Sequence, residues 1–141
     1  MNDATRPIFL VEDNPMDLEL TRRAFAKHHL GNPLLVARDG AEAVAMLPRW
    51  ESGEPLPLVV LLDLKLPLID GLEVLRRLRE HPVSATVPVV VLTTSDEDSD
   101  IRTAYELGAN SYIVKPVDFD KFMEVASQIE LYWVALNQPT R

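Results

Sequence analysis

Asp63 is a single carboxylate placed directly after a short apolar segment, Leu58 to Leu62, and shortly before Pro67. A continuous apolar run bounded by prolines, here Pro57 and Pro67, is typical of a strand that is buried on both faces of a parallel sheet. Open α/β sheets bind their ligands beside the carboxyl ends of such strands. By itself, Asp63 could equally serve only to end the strand. Its role therefore depends on which other polar residues reach the same edge.

Polar side chains of complementary chemistry follow three of the other apolar segments. They are Glu12 and Asp13 after the first segment, Thr93 after the fourth and Lys115 after the fifth. Because the carboxyl ends of parallel strands lie on one edge of the sheet, we expect these side chains to meet Asp63. Three clustered carboxylates repel one another unless a cation binds, and Mg²⁺ prefers oxygen ligands.

The lysine and the hydroxyl are the groups that a bound phosphoryl group needs. Lys115 can neutralise its charge, and Thr93 can donate a hydrogen bond to it. One carboxylate of the cluster can then act as a nucleophile and form an aspartyl phosphate. The strand ends therefore predict a magnesium-dependent phosphoryl site.

The elements that position these residues alternate between strand and helix five times. Short apolar strands joined by helical crossovers predict a parallel sheet with helices on both faces, although the sequence leaves the strand order open. Asp70 and Asp118 are placed to cap helices, and residues 48–57 around Trp50 predict a long loop. The predicted strands are 7–11, 34–37, 58–62, 88–92 and 111–114, and the predicted helices are about 15–29, 41–47, 72–80, 96–108 and 119–136.

Composition favours one soluble domain located in the cytoplasm. Of the 141 residues, 47% are hydrophobic and 26% are charged, as is ordinary for a folded domain. The chain has no cysteine, which excludes disulfides and cysteine-based metal sites. A net charge of −8 argues against binding to nucleic acid. No apolar segment is long enough to cross a membrane. The first residues lack the apolar core of a signal peptide, so we expect none there.

Together, the strand-end residues resemble the receiver domain of two-component response regulators. The family's order and spacing are matched by Glu12-Asp13, Asp63, Leu66-Pro67, Asp70-Gly71, Thr93 and Lys115-Pro116. The resemblance covers about residues 8–131, so we expect residues 1–141 to form a single receiver domain with an extended C-terminal helix. It implies a flavodoxin-like (βα)5 fold, doubly wound, with strand order 2-1-3-4-5.

The resemblance also implies a chemical role for the carboxylates. Asp63 would accept a phosphoryl group from a histidine kinase, and the chain would catalyse only its own phosphotransfer and dephosphorylation. Mg²⁺ would be bound directly by Asp13 and Asp63, through water by Glu12, and by the backbone carbonyl of Lys65.

Three further residues would respond to the phosphoryl group. Lys115 would pair with it, Thr93 would move to donate a hydrogen bond, and the ring of Tyr112 would follow the threonine. A cis peptide bond would join Lys115 to Pro116. The surface that reports phosphorylation would consist of the fourth helix, the fifth strand and the fifth helix.

Three residues beside the site are expected to tune its kinetics. Thr94 occupies a position where the family commonly has a smaller residue, and its branched side chain would narrow the access to Asp63. Lys65 and Ser95 occupy positions that set the lifetime of the aspartyl phosphate in the family. We therefore expect a change at Lys65 to alter dephosphorylation more than phosphorylation.

The last helix carries two apolar stripes, although one face of a sheet requires only one. The stripe that is predicted to face the core consists of Phe119, Phe122, Met123, Ala126, Ile129 and Trp133. The second stripe consists of Val125, Ile129, Tyr132 and Leu136, and it predicts a homodimer or partner interface. The alternative is an apolar but unpartnered surface helix.

Two features refine the comparison with receivers. We expect no output domain after the last helix. The Thr93-Thr94-Ser95 triplet, the loop around Trp50 and the aromatic last helix resemble the stand-alone receivers of bacteriophytochrome histidine kinases. A phosphatase of the haloacid-dehalogenase type also uses an aspartyl phosphate, but it has a second aspartate where this chain has Lys65. A receiver that no longer accepts phosphate is the third alternative, against which the complete site argues.

Overall fold

The computed structural model describes residues 6–27, 32–115 and 118–136, with side chains described as far as residue 128. Within these ranges five strands alternate with six helices. The strands are β1 (Ile8–Val11), β2 (Leu34–Ala37), β3 (Val59–Leu62), β4 (Val89–Thr93) and β5 (Ser111–Val114). The helices are α1 (Pro15–Lys27), α2 (Gly40–Val44), α3 (Met46–Glu51), α4 (Gly71–Glu80), α5 (Asp98–Glu106) and α6 (Phe119–Leu136).

The five strands form one parallel sheet in the order β2-β1-β3-β4-β5. This order and the alternation of strands and helices confirm the predicted flavodoxin-like fold. Every residue of β1, β3 and β4 is buried, as the unbroken apolar runs indicate for strands that are covered on both faces. The order changes direction between β1 and β3, so the crevice of the sheet opens beside the ends of these two strands.

Alternate residues of each strand face two separate core layers. Phe9, Val60 and Val91 pack beneath α2, α3 and α4 on one side of the sheet. Leu10 and Leu61 pack on the other side, where α1 and α6 contribute Leu18, Ala24, Phe25, Phe122, Val125 and Ala126. The period of two along the strands therefore divides the apolar residues between the two layers of helices.

The segment around Trp50 is a helix rather than the long loop that its prolines and glycine predict. Pro48 is the third residue of α3, in the first turn, where a helix does not need its missing N–H. Trp50 is only 3% exposed. Its ring packs edge-on against Phe9 with centroids 5.5 Å apart. The predicted second helix is accordingly divided at Ala45 into α2 and α3.

Most other helix ends agree with their predicted signals. The carboxylate of Asp70 accepts a hydrogen bond from the N–H of Glu73 at 3.0 Å, and that of Asp118 accepts one from Lys121 at 2.9 Å. Helix α1 ends at Lys27, and residues 28–31 lie outside the described residues. Pro116 also lies outside them, so the predicted peptide geometry at this proline stays a prediction.

Helix α6 has the predicted bounds, but one of its predicted interface residues is wrong. Val125 is 1% exposed and packs in the core with Phe122 and Ala126, so it cannot contact a partner. The helical period brings position 125 next to 122 on the face that covers the sheet. The side chains of Ile129, Tyr132 and Leu136 lie outside the described residues, so their interface role stays a prediction. Within the described ranges, no helix has the length and apolar character that a bilayer-spanning segment requires.

Candidate phosphoryl and metal site

Asp63 lies at the carboxyl end of β3, where its backbone N–H donates to the carbonyl of Val11 at 3.0 Å and continues the pairing of β3 with β1. Its side chain is buried, and Oδ1 accepts a hydrogen bond from the N–H of Lys65 at 3.0 Å. Helix α4 begins directly behind it at Gly71. A Cβ at that position would lie 2.2 Å from the carbonyl oxygen of Asp63, so only glycine allows this approach.

Glu12, Asp13 and Asp63 form a cluster at the adjacent ends of β1 and β3. One carboxylate oxygen of each residue lies within 4.8 Å of the others. Glu12 and Asp63 are buried, whereas Asp13 is exposed and leaves the cluster open to solvent. Three carboxylates are a hard-oxygen donor set that fits a divalent cation such as Mg²⁺, with water completing its coordination.

Burial of Glu12 has a consequence for its charge. Burial raises the pKa of Glu12 to about 7, and the hydrogen bond and charge of Lys115 partly offset this rise. The negative charge of Asp63 raises the pKa further. When no metal ion is bound, the carboxyl group of Glu12 therefore titrates near neutral pH.

Lys115 is the buried cation of the site. Its ammonium Nζ lies 2.6 Å from Glu12 Oε1, 2.8 Å from Asp17 Oδ2 and 3.3 Å from Asp63 Oδ2. Burial lowers the pKa of Lys115, but the hydrogen bonds to Asp17 and Glu12 and the charge of Asp63 outweigh this effect and raise it above its usual value. Lys115 is consequently charged throughout the physiological range.

Asp17 is a member of this site that was not predicted from the sequence. It lies in the first turn of α1, where an acid is common because it complements the helix dipole. It also contacts Lys115, which follows β5 and is distant in the sequence. No local sequence signal indicates this contact, because an acid in the first turn of a helix is common.

Thr93 and Tyr112 are connected through Ser95. Thr93 is fully buried at the end of β4, and its Oγ1 accepts a hydrogen bond from the N–H of Ser95 at 3.4 Å. The hydroxyl of Tyr112 donates to the carbonyl of Ser95 at 2.9 Å. Burial raises the pKa of Tyr112, and the bond to Ser95 opposes that shift, so the ring stays a neutral donor. The tyrosine therefore holds the segment after Thr93, not the threonine itself.

Of the remaining predicted residues, Lys65 lines an open cleft, and Ser95 contacts another lining residue of this cleft, Asp100. The hydroxyl of Ser95 donates to Asp100 Oδ2 at 2.5 Å, and Lys65 Nζ lies 3.9 Å from the same oxygen. The cleft has a volume of about 260 Å³, and Lys65 and Asp100 are among its lining residues. Thr94 is exposed beside Thr93. Two of the three predicted tuning residues, Lys65 and Ser95, thus contact Asp100 at the start of α5.

Comparison with known proteins identifies the family. Residues 8–127 match the response regulator receiver domain. Among curated relatives, the probable methanogenesis regulatory protein FilR2 of Methanothrix harundinacea is 41% identical and covers 93% of this chain and 85% of its own. The response regulator Rcp1 of Synechocystis is 36% identical over 95% of both chains.

Solved structures with this fold include regulators of phytochromes. The phosphorylated cyanobacterial phytochrome response regulator RcpA has a TM-score of 0.81 and 37% identity, covering 96% of this chain and 97% of its own. The Mn²⁺-bound form of Rcp1 has a TM-score of 0.80 and 35% identity, with the same coverage. The bacteriophytochrome response regulator AtBRR has a TM-score of 0.73 and 46% identity, covering 95% of this chain and 99% of its own. The acid cluster, the buried lysine and the sheet that aligns them are thus the parts of a family fold, and the chain belongs to the response regulator receiver domain family.

Proposed function

We propose that this receiver domain accepts a phosphoryl group on Asp63 from a histidine kinase in a reaction that requires Mg²⁺. The observation that carries the proposal is the position of Asp63, which lies 3.3 Å from the ammonium of Lys115 and within the cluster formed with Glu12 and Asp13. A buried ammonium and a metal-binding cluster that both contact one carboxylate suit the transfer of a phosphoryl group to it.

The transfer itself requires little from the protein beyond position and charge. A carboxylate oxygen of Asp63 attacks the phosphorus of a phosphohistidine, the P–N bond breaks, and its electron pair returns to the imidazole nitrogen, which takes a proton from solvent. The products are an acyl phosphate on Asp63 and a neutral histidine on the kinase. Hydrolysis by water returns Asp63 to a carboxylate and releases inorganic phosphate.

The residues of the cluster fit a bound cation. Asp13, Glu12 and Asp63, with the backbone carbonyl of Lys65, would hold Mg²⁺, which would neutralise the charge on the transferred group. Lys115, whose ammonium lies 3.3 Å from Asp63 Oδ2, supplies a second positive charge. Rcp1, a relative of this chain, has been crystallised with Mn²⁺, which supports a divalent site in the same fold.

Thr93 would report the phosphoryl group to the surface. Its hydroxyl would turn from the Ser95 N–H towards the new oxygens, and the segment held by Tyr112 and Asp100 would follow. The affected surface consists of α5, β5 and α6, where Tyr105 and Val114 are large apolar residues exposed to solvent. We infer that this surface binds a partner or a second copy of the chain after phosphorylation.

The similarity to RcpA, Rcp1 and AtBRR supports a bacteriophytochrome as the kinase and a location in the cytoplasm, where the kinase domain would act. As a receiver, the chain is a signalling protein whose covalent change is the signal, rather than an enzyme that releases a modified substrate. Residues 1–141 would form one such receiver domain.

Intact mass after incubation with Mg²⁺ and a small acyl phosphate tests the proposal. We expect wild-type protein to gain one phosphoryl group and Asp63→Asn to gain none. Asp96→Asn, which removes an exposed acid near the same edge, is the matched control and should be phosphorylated normally. Release of phosphate without an adduct would instead indicate a phosphatase, and an unmodified wild-type protein would indicate a passive interaction domain.

A further inference from the structure

The ammonium of Lys115 is shared with Asp17, a residue that neither belongs to the metal cluster nor accepts the phosphoryl group. Asp17 Oδ2 lies 2.8 Å from Lys115 Nζ, nearer than the oxygen of Asp63 at 3.3 Å. The side chain of Lys115 is 6% exposed and that of Asp17 is 19% exposed, so solvent weakens this ion pair far less than one at the surface.

The three carboxylates around Lys115 use all the hydrogen-bond donors of its ammonium. An ammonium has three N–H groups, and Glu12, Asp17 and Asp63 each lie within ion-pair distance of it. A phosphoryl group on Asp63 brings additional negative charge and oxygens that also require Lys115. At least one of the present contacts must then lengthen.

Of the three carboxylates that contact Lys115, Asp17 is the one that has no other role at the site. Glu12 retains a role in the metal cluster when Lys115 moves away. Asp17 has no second cationic partner within the described part of the chain, and it lies on α1 rather than at a strand end. Its carboxylate therefore stabilises the position that Lys115 occupies before phosphorylation.

We propose that Asp17 is a positioning residue that competes with the phosphorylated Asp63 for the ammonium of Lys115. In the unphosphorylated protein, Asp17 holds the lysine against the first turn of α1. Phosphorylation draws the lysine towards Asp63 and releases Asp17, so the Asp17–Lys115 pair opposes phosphorylation and connects it to α1. The inference rests on the proposed phosphorylation of Asp63.

The binding of beryllofluoride tests the competition, because this anionic mimic of the phosphoryl group attaches directly to a carboxylate oxygen and needs no phosphoryl donor. Isothermal titration calorimetry at saturating Mg²⁺ should show tighter binding to Asp17→Asn than to wild type, by up to about five-fold, as expected for a partly exposed ion pair. Glu19→Gln removes the same charge from an exposed position on α1 and should bind as wild type does.

The same variant should be less stable than wild type when no ligand is bound. Because Asp17→Asn removes a partner of a buried ammonium, its melting temperature without Mg²⁺ or beryllofluoride should fall by about 3 °C, whereas that of Glu19→Gln should not change. A residue with a merely structural role would lower the melting temperature without tightening the binding of the phosphoryl mimic.

The Lys115→Met background separates competition for the lysine from a general effect of charge. We expect the gain from Asp17→Asn to disappear there, because the lysine is the shared partner. If Lys115→Met does not fold, NMR of the Lys115 ammonium provides the same test. When beryllofluoride is added, the Lys115 signal should shift in wild type, where the contact with Asp17 is lost, and shift less in Asp17→Asn.

Three results would overturn the inference. They are unchanged or weaker binding by Asp17→Asn, an equal gain in the Lys115→Met background, and a Lys115 ammonium signal that beryllofluoride shifts equally in wild type and Asp17→Asn. If wild-type protein forms an adduct and binds the mimic but Asp17→Asn has no effect, only the role of Asp17 is wrong. A wild-type protein that does neither would overturn both this inference and the proposed function.

Discussion

Glu12 is buried, belongs to the metal-binding cluster and forms an ion pair with Lys115. These features have opposite effects on its pKa. Burial favours its neutral form and raises its pKa to about 7, whereas Lys115 and a bound cation favour the carboxylate. A cation that uses all three carboxylates must therefore displace a proton from Glu12 when the pH is at or below about 7.

We expect the affinity of the protein for Mg²⁺ to rise with pH between 6 and 8. At pH 6 about nine-tenths of Glu12 would carry a proton, which weakens binding by up to about ten-fold relative to pH 8. Titration calorimetry at pH 6, 7 and 8 measures this dependence. Glu12→Gln should bind Mg²⁺ more weakly and with a flatter pH profile, and an equally steep profile in that variant would contradict the assignment.

Lys65 follows Asp63 by two residues, and we expect its side chain to hinder the approach of water to the phosphorylated Asp63. Its side chain is 59% exposed, and its ammonium is 3.9 Å from Asp100 beside the open cleft. We expect Lys65→Ala to lose phosphate faster, by less than about ten-fold, because an exposed side chain changes the barrier by roughly 1 kcal/mol. The yield of phosphorylation should change less. Decay of the phosphorylated mass after the donor is removed measures this, with Lys121→Ala as control. Equal decay of Lys65→Ala and wild type would exclude the role.

Leu68 is a residue in an unfavourable backbone conformation. Its φ is +71°, although it is not a glycine, and its side chain is 81% exposed. The left-handed region costs about 1–2 kcal/mol for a residue with a Cβ, and glycine loses about 0.5–1 kcal/mol of chain entropy on folding. Leu68→Gly should therefore raise the free energy of unfolding by about 0.5–1 kcal/mol in urea denaturation. Leu68→Ala, which keeps the Cβ, should not, and an equal gain in both would mean that the exposed leucine side chain was responsible.

The predicted residues of the site are those whose position follows from a strand end. Glu12, Asp13, Asp63, Thr93 and Lys115 come directly after apolar runs, and parallel strands bring such residues to one edge. Asp17 was missed because its partner comes from β5, far along the chain, and nothing local distinguishes it from an acid that complements the helix dipole.

Among the elements, the strands were predicted closely because each is a short apolar run, and α3 was missed because its composition resembles a loop. A loop is predicted here because of Pro48, Ser52 and Gly53. The segment is nevertheless a helix, and its stability comes from the tertiary burial of Trp50 against Phe9. Val125 was assigned to an interface because a near-heptad count does not determine which face of α6 covers the sheet. Both errors concern packing, which local sequence signals do not report.

The placement of helix α4 depends on the glycine at its first position. Its first residue, Gly71, is so close to β3 that an added Cβ would lie 2.2 Å from the carbonyl oxygen of Asp63 and 2.5 Å from Leu64 Cα. Both atoms belong to the backbone, so neither can rotate away. The N-terminus of α4 and the loop that carries Asp63 are thus fixed to one another.

Gly71→Ala should destabilise the protein by about 2–3 kcal/mol, because backbone must shift to admit the methyl group. It should also slow phosphorylation by the small acyl phosphate, because the shift includes the carbonyl of Asp63. Gly53→Ala is the control: its φ is +110° but no atom lies within 4 Å of the added Cβ, so it should cost about 1 kcal/mol and leave phosphorylation unchanged. Equal effects in the two variants would show that the close approach does not matter.

At the scale of the whole molecule, the strand order determines where the chemistry can take place. The order β2-β1-β3-β4-β5 sets β1 beside β3, which brings Glu12 and Asp13 to Asp63, and places β4 and β5 so that Thr93 and Lys115 complete the edge. The sequence supplies the residues at the ends of the strands, but the order depends on long-range pairing between strands. Only the resemblance to receivers implied it in advance.

The same arrangement relates the site to a surface on one side of the molecule. Hydrogen bonds connect Thr93 to Ser95 and Ser95 to Tyr112, and they link the buried edge of the sheet to β5. Val114, at the end of that strand, is exposed. Tyr105 of α5 is the second large apolar side chain exposed on these elements. Because Thr93 is buried and its hydroxyl accepts a hydrogen bond from the N–H of Ser95, we expect its movement to displace Ser95 and the start of α5.

We therefore expect self-association to depend on phosphorylation and on this surface. Sedimentation velocity should show a shift towards dimer when beryllofluoride and Mg²⁺ are added to wild-type protein. Tyr105→Glu should suppress the shift, because it places a charge in an apolar contact. Met16→Glu changes an exposed apolar residue on α1 and should leave the shift intact. A strict monomer under both conditions would contradict a homodimer through this surface and leave a different protein as its partner.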